Sequence, residues 1–331
     1  MIYETDECPH PVGDEPAWSE SYYFAFFGDG VSGVSRIGNR PNEGTQDALL
    51  VLFEDEAVTL IRAARPSTEN TDELSVGGLE YTCVNPLKQW KIRYRGPAVR
   101  FEQPRALLGE PGEPTRVEVD IDLDFHAAHA PGELEYDERI SREVLERVAA
   151  HHFEQSGIVE GTVLGKPFSG RGHRDKSWGV RDWSAPEMWR WFALDFDESF
   201  AMNASIVRVD GQEIRTGWAW HKDALHPVRD VALDTEFGPD GHSQKSLVLQ
   251  VTIDGEPLRV EGVIESIAPL PFPMPDGRAM VVNEALATFR LPDGRTCRGI
   301  AEYLQPLDPS CHEALLRGYA LQYDTPAKEN R

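Results

Sequence analysis

From Val117 to Phe125 apolar and acidic residues alternate without exception, Val-Glu-Val-Asp-Ile-Asp-Leu-Asp-Phe. Successive side chains of an extended strand point to opposite faces, so this stretch has one face to bury and another carrying Glu118, Asp120, Asp122 and Asp124. Such a strand belongs in an antiparallel sheet covered on one side, and the neighbouring sequence supplies partners. Strand-like runs occur at 22–27, 48–53, 57–62, 79–84 and 91–96, separated by Gly, Asn and Pro. The four carboxylates suggest either a calcium site or the solvated outside of a sheet. Carboxylates two apart on one strand diverge rather than converge on an ion, which favours the solvated face.

A second β series follows, at 157–165, 189–196, 204–211, 213–222, 245–254, 256–269 and 283–304. Its turns VDGQ, IDGE and PDGR place Asp-Gly between strand-like runs, a strong hairpin signal. Between the two series, residues 137–155 carry Ile140, Val144, Leu145, Val148, His152 and Phe153 at helical spacing, and a helix is expected there. The expected organisation is mainly β. A flexible arm at 1–17 precedes antiparallel barrels at 18–150 and 151–306, joined by the short helix, and a C-terminal helix and tail occupy 307–331. Barrels of about eight strands are just wide enough for one small ligand.

The chain has 33 Lys and Arg against 56 Asp and Glu, a formal net charge of -23. That surface repels phosphate backbones, so a nucleic-acid partner is not expected. No apolar run is long enough for a membrane span, and the acidic, proline-broken N-terminus is unlike a signal peptide. A cytoplasmic protein is the reading. The cysteines, Cys8, Cys83, Cys297 and Cys311, are far apart with no CxxC pair, and are taken as reduced thiols. Walker, Rossmann, HExxH and GxSxG signatures are absent. His126 and His129 follow a strand and are not taken as a metal pair.

In this acidic chain, residues 169–183 (SGRGHRDKSWGVRDW) gather four cations, two acids, a histidine and two tryptophans among glycines. Arg171, Arg174, Lys176 and Arg181 could pair with Asp175 and Asp182, while Trp178 and Trp183 offer π faces. A structural ion-pair corner and a ligand site are both consistent with this composition. Six of the eight tryptophans fall at or after residue 178: Trp178, Trp183, Trp189, Trp191, Trp218 and Trp220. Trp189 and Trp191 share one strand face, as do Trp218 and Trp220, each pair lining core or a cavity wall.

GRGHRDKSWGVRDW resembles the G-x-G-x-R-D-H-S-W-G-x-R-x-W signature of proteins similar to AttH and carotenoid 1,2-hydratase, the hydroxyneurosporene synthase superfamily. The opening WSESYYFAFFGDGVSGVSRIGNRPNEG, then YTCVNPLKQWKIRYRG, EQSGIVEGTV and NEALATFRLPDGRTCRGIAEYL resemble the same family in the same order, from Trp18 to Leu304. The resemblance implies two tandem lipocalin-like calycin barrels. It also implies chemistry on hydrophobic molecules: the carotenoid and kievitone hydratases add water across isoprenoid double bonds, and fungal relatives guide cyclisations. No cofactor and no metal is implied. The family's functional His and Trp align with Lys176 and Trp178, and a lysine cannot replace a neutral imidazole without a strongly depressed pKa.

The expectation is a cofactor-independent hydratase, isomerase or cyclase acting on an isoprenoid, polyketide or aromatic small molecule; a non-catalytic carrier of such a ligand is the alternative. Asp175, Lys176, Trp178 and Glu302 are the candidate catalytic residues. Trp189, Trp191, Trp218, Trp220, His173, Arg181 and Tyr22 are candidate substrate contacts, within the second barrel or beside it. Glu20 and Glu284 are further candidate acids. Flanked by Arg174 and Lys176, Asp175 is expected to stay ionised, as a base or anchor. A homodimer is left open.

Overall fold

The computed structural model describes residues 2–67, 74–136, 140–148, 151–274, 276–311 and 313–317. The first strands are β1 (Trp18–Phe27), β2 (Ser32–Arg40), β3 (Thr45–Glu54), β4 (Ala57–Pro66), β5 (Ser75–Val76), β6 (Leu79–Asn85), β7 (Gln89–Phe101), β8 (Thr115–Ala127) and β9 (Gly132–Glu133). Helix α1 (Arg142–Val148) precedes β10 (His151–Val163) and β11 (Lys166–Val180). These strands form an 11-stranded sheet ordered β4-β3-β2-β1-β11-β10-β8-β7-β6-β5, with β9 on β10; pairing of β4 with β7 brings the sheet back on itself. The remaining strands are β12 (Met188–Asp197), β13 (Phe200–Val209), β14 (Gln212–His221), β15 (Ala224–Phe237), β16 (Gln244–Ile253), β17 (Glu256–Pro273), β18 (Ala279–Arg290) and β19 (Thr296–Pro306). They close into an eight-stranded antiparallel barrel.

The expected boundary at residue 151 is corrected by the pairing. Strands β10 and β11, which carry the signature, lie between β8 and β1 in the first sheet, and the second barrel begins at Met188. Hydrophobic spacing over 140–153 suits a helix, but only Arg142–Val148 is helical, while His152 and Phe153 lie on β10. Residues 137–139, 149 and 150 of that stretch lie outside the described residues. The N-terminal residues are not free either. Glu4–Glu7 form a short 3-10 turn, and Glu7 is buried. The C-terminal helix expected at 313–317 is present, with Leu315 buried.

The hairpin signals correspond to real turns. Asp210-Gly211 and Asp254-Gly255 have φ of 49 and 72°, and 52 and 78°, the paired positive values of a two-residue hairpin turn. They join β13 to β14 and β16 to β17. The acidic row on β8 faces cations on β7: Asp120 pairs with Arg95, Asp122 with Arg93 and Asp124 with Lys91, at 2.5, 3.3 and 2.9 Å. It is a laddered outer face, and the alternate residues Val119, Ile121, Leu123 and Phe125 are buried inside the curled sheet.

Both interiors are filled. Tyr22, Phe24, Phe26, Leu50, Trp90 and Phe125 pack inside the first sheet, and Phe192, Leu194, Met202, Leu249, Phe289 and Tyr303 inside the barrel. A third core lies between the two units. The opposite face of β1 (Tyr23, Ala25, Phe27) and of β3 (Leu49, Val51, Phe53) packs against Leu270, Met280, Val282, Ile300 and Leu304 from the outside of the barrel. A strand buried on both faces loses the alternation of a half-exposed one, and β1 is buried at all ten positions.

Candidate active site

Between the two units lies a cavity of about 830 Å³, at the upper end of the range typical of small-molecule sites. Its walls come from the outer faces of both units: Ser21, Tyr23, Arg36, Asp47 and Asp175 on one side, Trp189, Trp191, Leu270, Glu284 and Glu302 on the other. Alternation explains the placement. Asp175 is flanked by Arg174 and Lys176, whose side chains point into the curled sheet, so Asp175 points out towards the barrel.

On the barrel side, Glu284 and Glu302 lie on neighbouring strands β18 and β19, between the paired positions Asn283/Tyr303 and Leu286/Ile300. Burial raises both above the ordinary carboxyl range; the neighbouring Glu302 pushes Glu284 far above it, while the hydrogen bonds from Glu284 and Trp189 offset part of the rise at Glu302. Two like charges so placed cannot both ionise, and the pair holds a shared proton. The Trp189 indole donates a hydrogen bond to Oε1 of Glu302, marking it as the acceptor of the pair. Tyr23 reaches towards them from β1. Its buried hydroxyl has no hydrogen-bond partner among the described residues, and burial, then the carboxylates of Glu284 and Glu302, push its pKa well up. Trp191 packs edge-on to Tyr23 at 5.4 Å.

On the other side, Nε2 of His152 lies 2.9 Å from Oδ2 of Asp175 and 3.0 Å from Oε1 of Glu154. Burial opposes the charge on this imidazole, but Asp175 and Glu154 outweigh it and raise its pKa to about 9. Glu154 is anchored in turn by His173 Nε2 at 2.8 Å and by the Trp191 indole, which donates at 3.0 Å. Burial works against its charge, yet His152 and His173 hold it down at about 2. The result is a chain from Asp175 at the cavity wall through His152 and Glu154 to buried His173. These side chains can hold a carboxylate and an imidazolium in fixed orientation beside the aromatic wall. The group also has the donor types of a cation site, with ligand atoms of His152, Glu154 and Asp175 within 4.8 Å of one another. Protein donors already occupy both oxygens of Glu154.

Of the residues singled out from sequence, Asp175, Glu284, Glu302, Trp189, Trp191, Arg181, Asp182 and Trp183 line this cavity. The others lie elsewhere. Lys176 is fully buried inside the curled sheet, paired with Glu20 and 4.1 Å above the ring of Tyr22. Its neighbour Trp178 stacks between His10 at 4.1 Å and His151 at 5.1 Å, at the end of that sheet. Arg174 is held by Glu7 at 2.7 Å and by the side-chain oxygen of Gln155. These side chains therefore face away from Asp175, and the cationic partner it meets is His152. His173 is buried between the units, stacked 5.8 Å from Trp218, while Trp220 stacks on His129 at 5.3 Å. Trp218 also covers Gly132, where a Cβ would come within 2.4 Å of the indole. Sequence reasoning missed Tyr23, His152 and Glu154. The i, i+2 pattern His152-Glu154 was the available signal, concealed by the helical spacing assigned to that stretch.

The site belongs to a paired antiparallel β protein with a cleft between its units, lined by tryptophans, a proton-sharing carboxyl pair and a carboxylate–imidazole chain. Residues 3–307 match the family model described as "Domain of unknown function (DUF7064)", and the chain belongs to that family. No curated protein matches the sequence. Two solved structures share the fold. An AttH-like protein from Nitrosomonas europaea superposes with a TM-score of 0.56 at 14% identity, over 93% of this chain and 97% of that one. Kievitone hydratase from Nectria haematococca gives 0.56 at 11% identity, over 94% of each chain. No helix among the described residues is long and apolar enough to cross a membrane.

Proposed function

We propose that the inter-unit cleft is the active site of a cofactor-independent enzyme that protonates a carbon–carbon double bond of a hydrophobic small molecule, in the manner of a hydratase, isomerase or cyclase. The observation that carries this is the Glu284/Glu302 pair. A carboxylic acid kept neutral by burial is the acid that alkene protonation needs. Glu284 transfers its proton to the alkene carbon, and positive charge develops on the adjacent carbon. Trp189 and Trp191 present aromatic faces to that cation, and Glu302, freed of its partner's proton, adds negative charge. Asp175, oriented by His152, accepts a proton from the water whose oxygen bonds to the cationic carbon. The alkene thus gains H and OH. Return of that proton to Glu284 completes the cycle. Loss of a proton from the cation, or its capture by a second double bond, gives isomerisation or cyclisation from the same residues. Similarity of fold to kievitone hydratase supports the reading.

The test is turnover of a panel of prenylated phenols and isoprenoid alkenes in deuterated water, read by mass spectrometry. Deuterium at the protonated carbon is expected with the native protein. In Glu284→Gln the rate should drop by roughly 10²- to 10⁴-fold, the usual worth of a general acid. Retained turnover in Glu284→Gln and Asp175→Asn alike would overturn the assignment; binding of the panel without turnover by the native protein would leave a carrier.

A further inference from the structure

Two arginines that line the cavity, Arg181 and Arg190, have no carboxylate oxygen within ion-pair distance among the described residues, but Arg190 is held by the carbonyls of Trp189 and Leu304 and by the Gln305 side chain. Arg36 pairs with Asp47 at 3.0 Å, and Arg40 with Asp47 at 3.0 Å and Glu43 at 3.1 Å. Arg181, which follows the last residue of β11, has no carboxylate oxygen within ion-pair distance among the described residues. Among the described residues its guanidinium donates only to Ser177 Oγ, at 3.2 Å. Asp182, next in sequence, is taken by Arg147 at 3.2 Å and by Ser184.

Arg181 lies over the ring of Trp183, 4.7 Å from its centroid, and Arg36 approaches the same ring at 5.6 Å. Two guanidiniums against one indole repel each other, and only Arg36 has a carboxylate to offset its charge. The Trp183 indole nitrogen is buried without a hydrogen-bond partner among the described residues, and so is the Tyr23 hydroxyl. Indole N–H and guanidinium are donors only, so the group that would satisfy this corner must be an acceptor. An anion is the acceptor that also offsets the charge of Arg181, and a planar fork suits a carboxylate in two-point contact. Asp47, Asp175, Asp182, Glu43 and Glu302 line the same cavity, so a multiply charged diphosphate would meet repulsion from several sides.

We infer that the ligand of this cleft is a carboxylic acid with an apolar, unsaturated body. Its carboxylate is received by Arg181 and the Trp183 indole, and its body lies along Trp189, Trp191, Leu270 and Phe272. This rests on the reading of the cleft as a binding site for a hydrophobic molecule, and names the polar end of that molecule.

The experiment is equilibrium binding by tryptophan fluorescence, with farnesoic acid, farnesol and farnesyl monophosphate as probes at one ionic strength. The native protein should bind the acid at least tenfold more tightly than the alcohol, and more tightly than the phosphate. Arg181→Gln should abolish the preference for the acid while leaving farnesol affinity unchanged. Trp183→Phe keeps the ring and removes the N–H, and should weaken acid binding severalfold with farnesol unaffected; it provides a second test if Arg181→Gln folds poorly. Equal binding of acid and alcohol would overturn the carboxylate and leave the hydrophobic site standing, and stronger binding of the phosphate would overturn the carboxylate in the same way. Binding of none of the three would overturn both.

Discussion

Glu284 and Glu302 sit side by side on the outside of the barrel, yet Glu284 is buried and Glu302 half-buried, because the outer face of the first sheet covers them. An outward-pointing carboxyl is normally solvated and ionised. Here the covering sheet takes away the water, and burial raises both groups.

A retained proton should be visible directly. At pH 7 the infrared spectrum of the native protein should show a protonated-carboxyl band that disappears in Glu284→Gln. Persistence of the full band in that variant would show that the proton resides elsewhere.

Stability should depend on pH through His152. Its folded pKa of about 9 lies above the ordinary value of 6.5, so its contribution is fully present below pH 6.5 and is lost as the pH rises through about 9. A shift of that size corresponds to about 3 kcal/mol, as an order of magnitude. Urea titrations from pH 6 to 10 should show this decline in the native protein and a shallower one in His152→Asn. The raised carboxyl pair contributes a decline of the same sign, beginning above the ordinary carboxyl range of about 4.5, so the difference between native and variant is the quantity to read.

Lys176 and Asp175 are neighbours in sequence with opposite roles. Lys176→Met removes the ammonium partner of buried Glu20 and leaves it only the bonds from His10, and should destabilise by roughly 3 kcal/mol, the low end of the cost of breaking a buried pair. Ligand affinity at the cleft should be unchanged. Asp175→Asn should lose turnover, and should also lower the melting temperature by the share of the His152 pairing that Asp175 supplies. Paired thermal melts and turnover assays distinguish the two.

The N-terminal segment should behave as part of the first sheet's core. Glu7 accepts hydrogen bonds from the Arg174 guanidinium at 2.7 and 3.2 Å and from the Trp90 indole at 2.6 Å. Glu7→Ala leaves that guanidinium buried without a carboxylate, and a loss of roughly 3–5 kcal/mol in chemical denaturation is expected. A change below about 0.5 kcal/mol, the range of ordinary surface substitutions, would show that the contact is incidental.

Much of the architecture was legible because strands and hairpins are local. The alternation over Val117–Phe125 named the buried face of β8, and the two Asp-Gly turns at Asp210 and Asp254 fall where φ must be positive. The signature over 169–183 marked an unusual strand, and its parity separated Asp175 from Arg174 and Lys176. What that parity could not reveal was the partner strand. Because β11 pairs with β1 across more than 140 residues of sequence, as in Trp18 opposite Val180, the signature was placed in the wrong unit. His152 was hidden for a related reason: an apolar spacing that fits a helix also fits a strand buried on both faces.

By itself, then, the sequence determined which segments are extended, where they turn and which residues share a face, since these follow from backbone geometry over a few residues. The tertiary structure alone decided what covers each face. Trp189, Trp191, Glu284 and Glu302 point away from the barrel interior, which in isolation would mean exposure to water; docking of the first sheet turns that outer surface into the wall of a cleft. The shared proton, the charge on His152 and the acid-free Arg181 arise there because burial depends on long-range packing that no local pattern records.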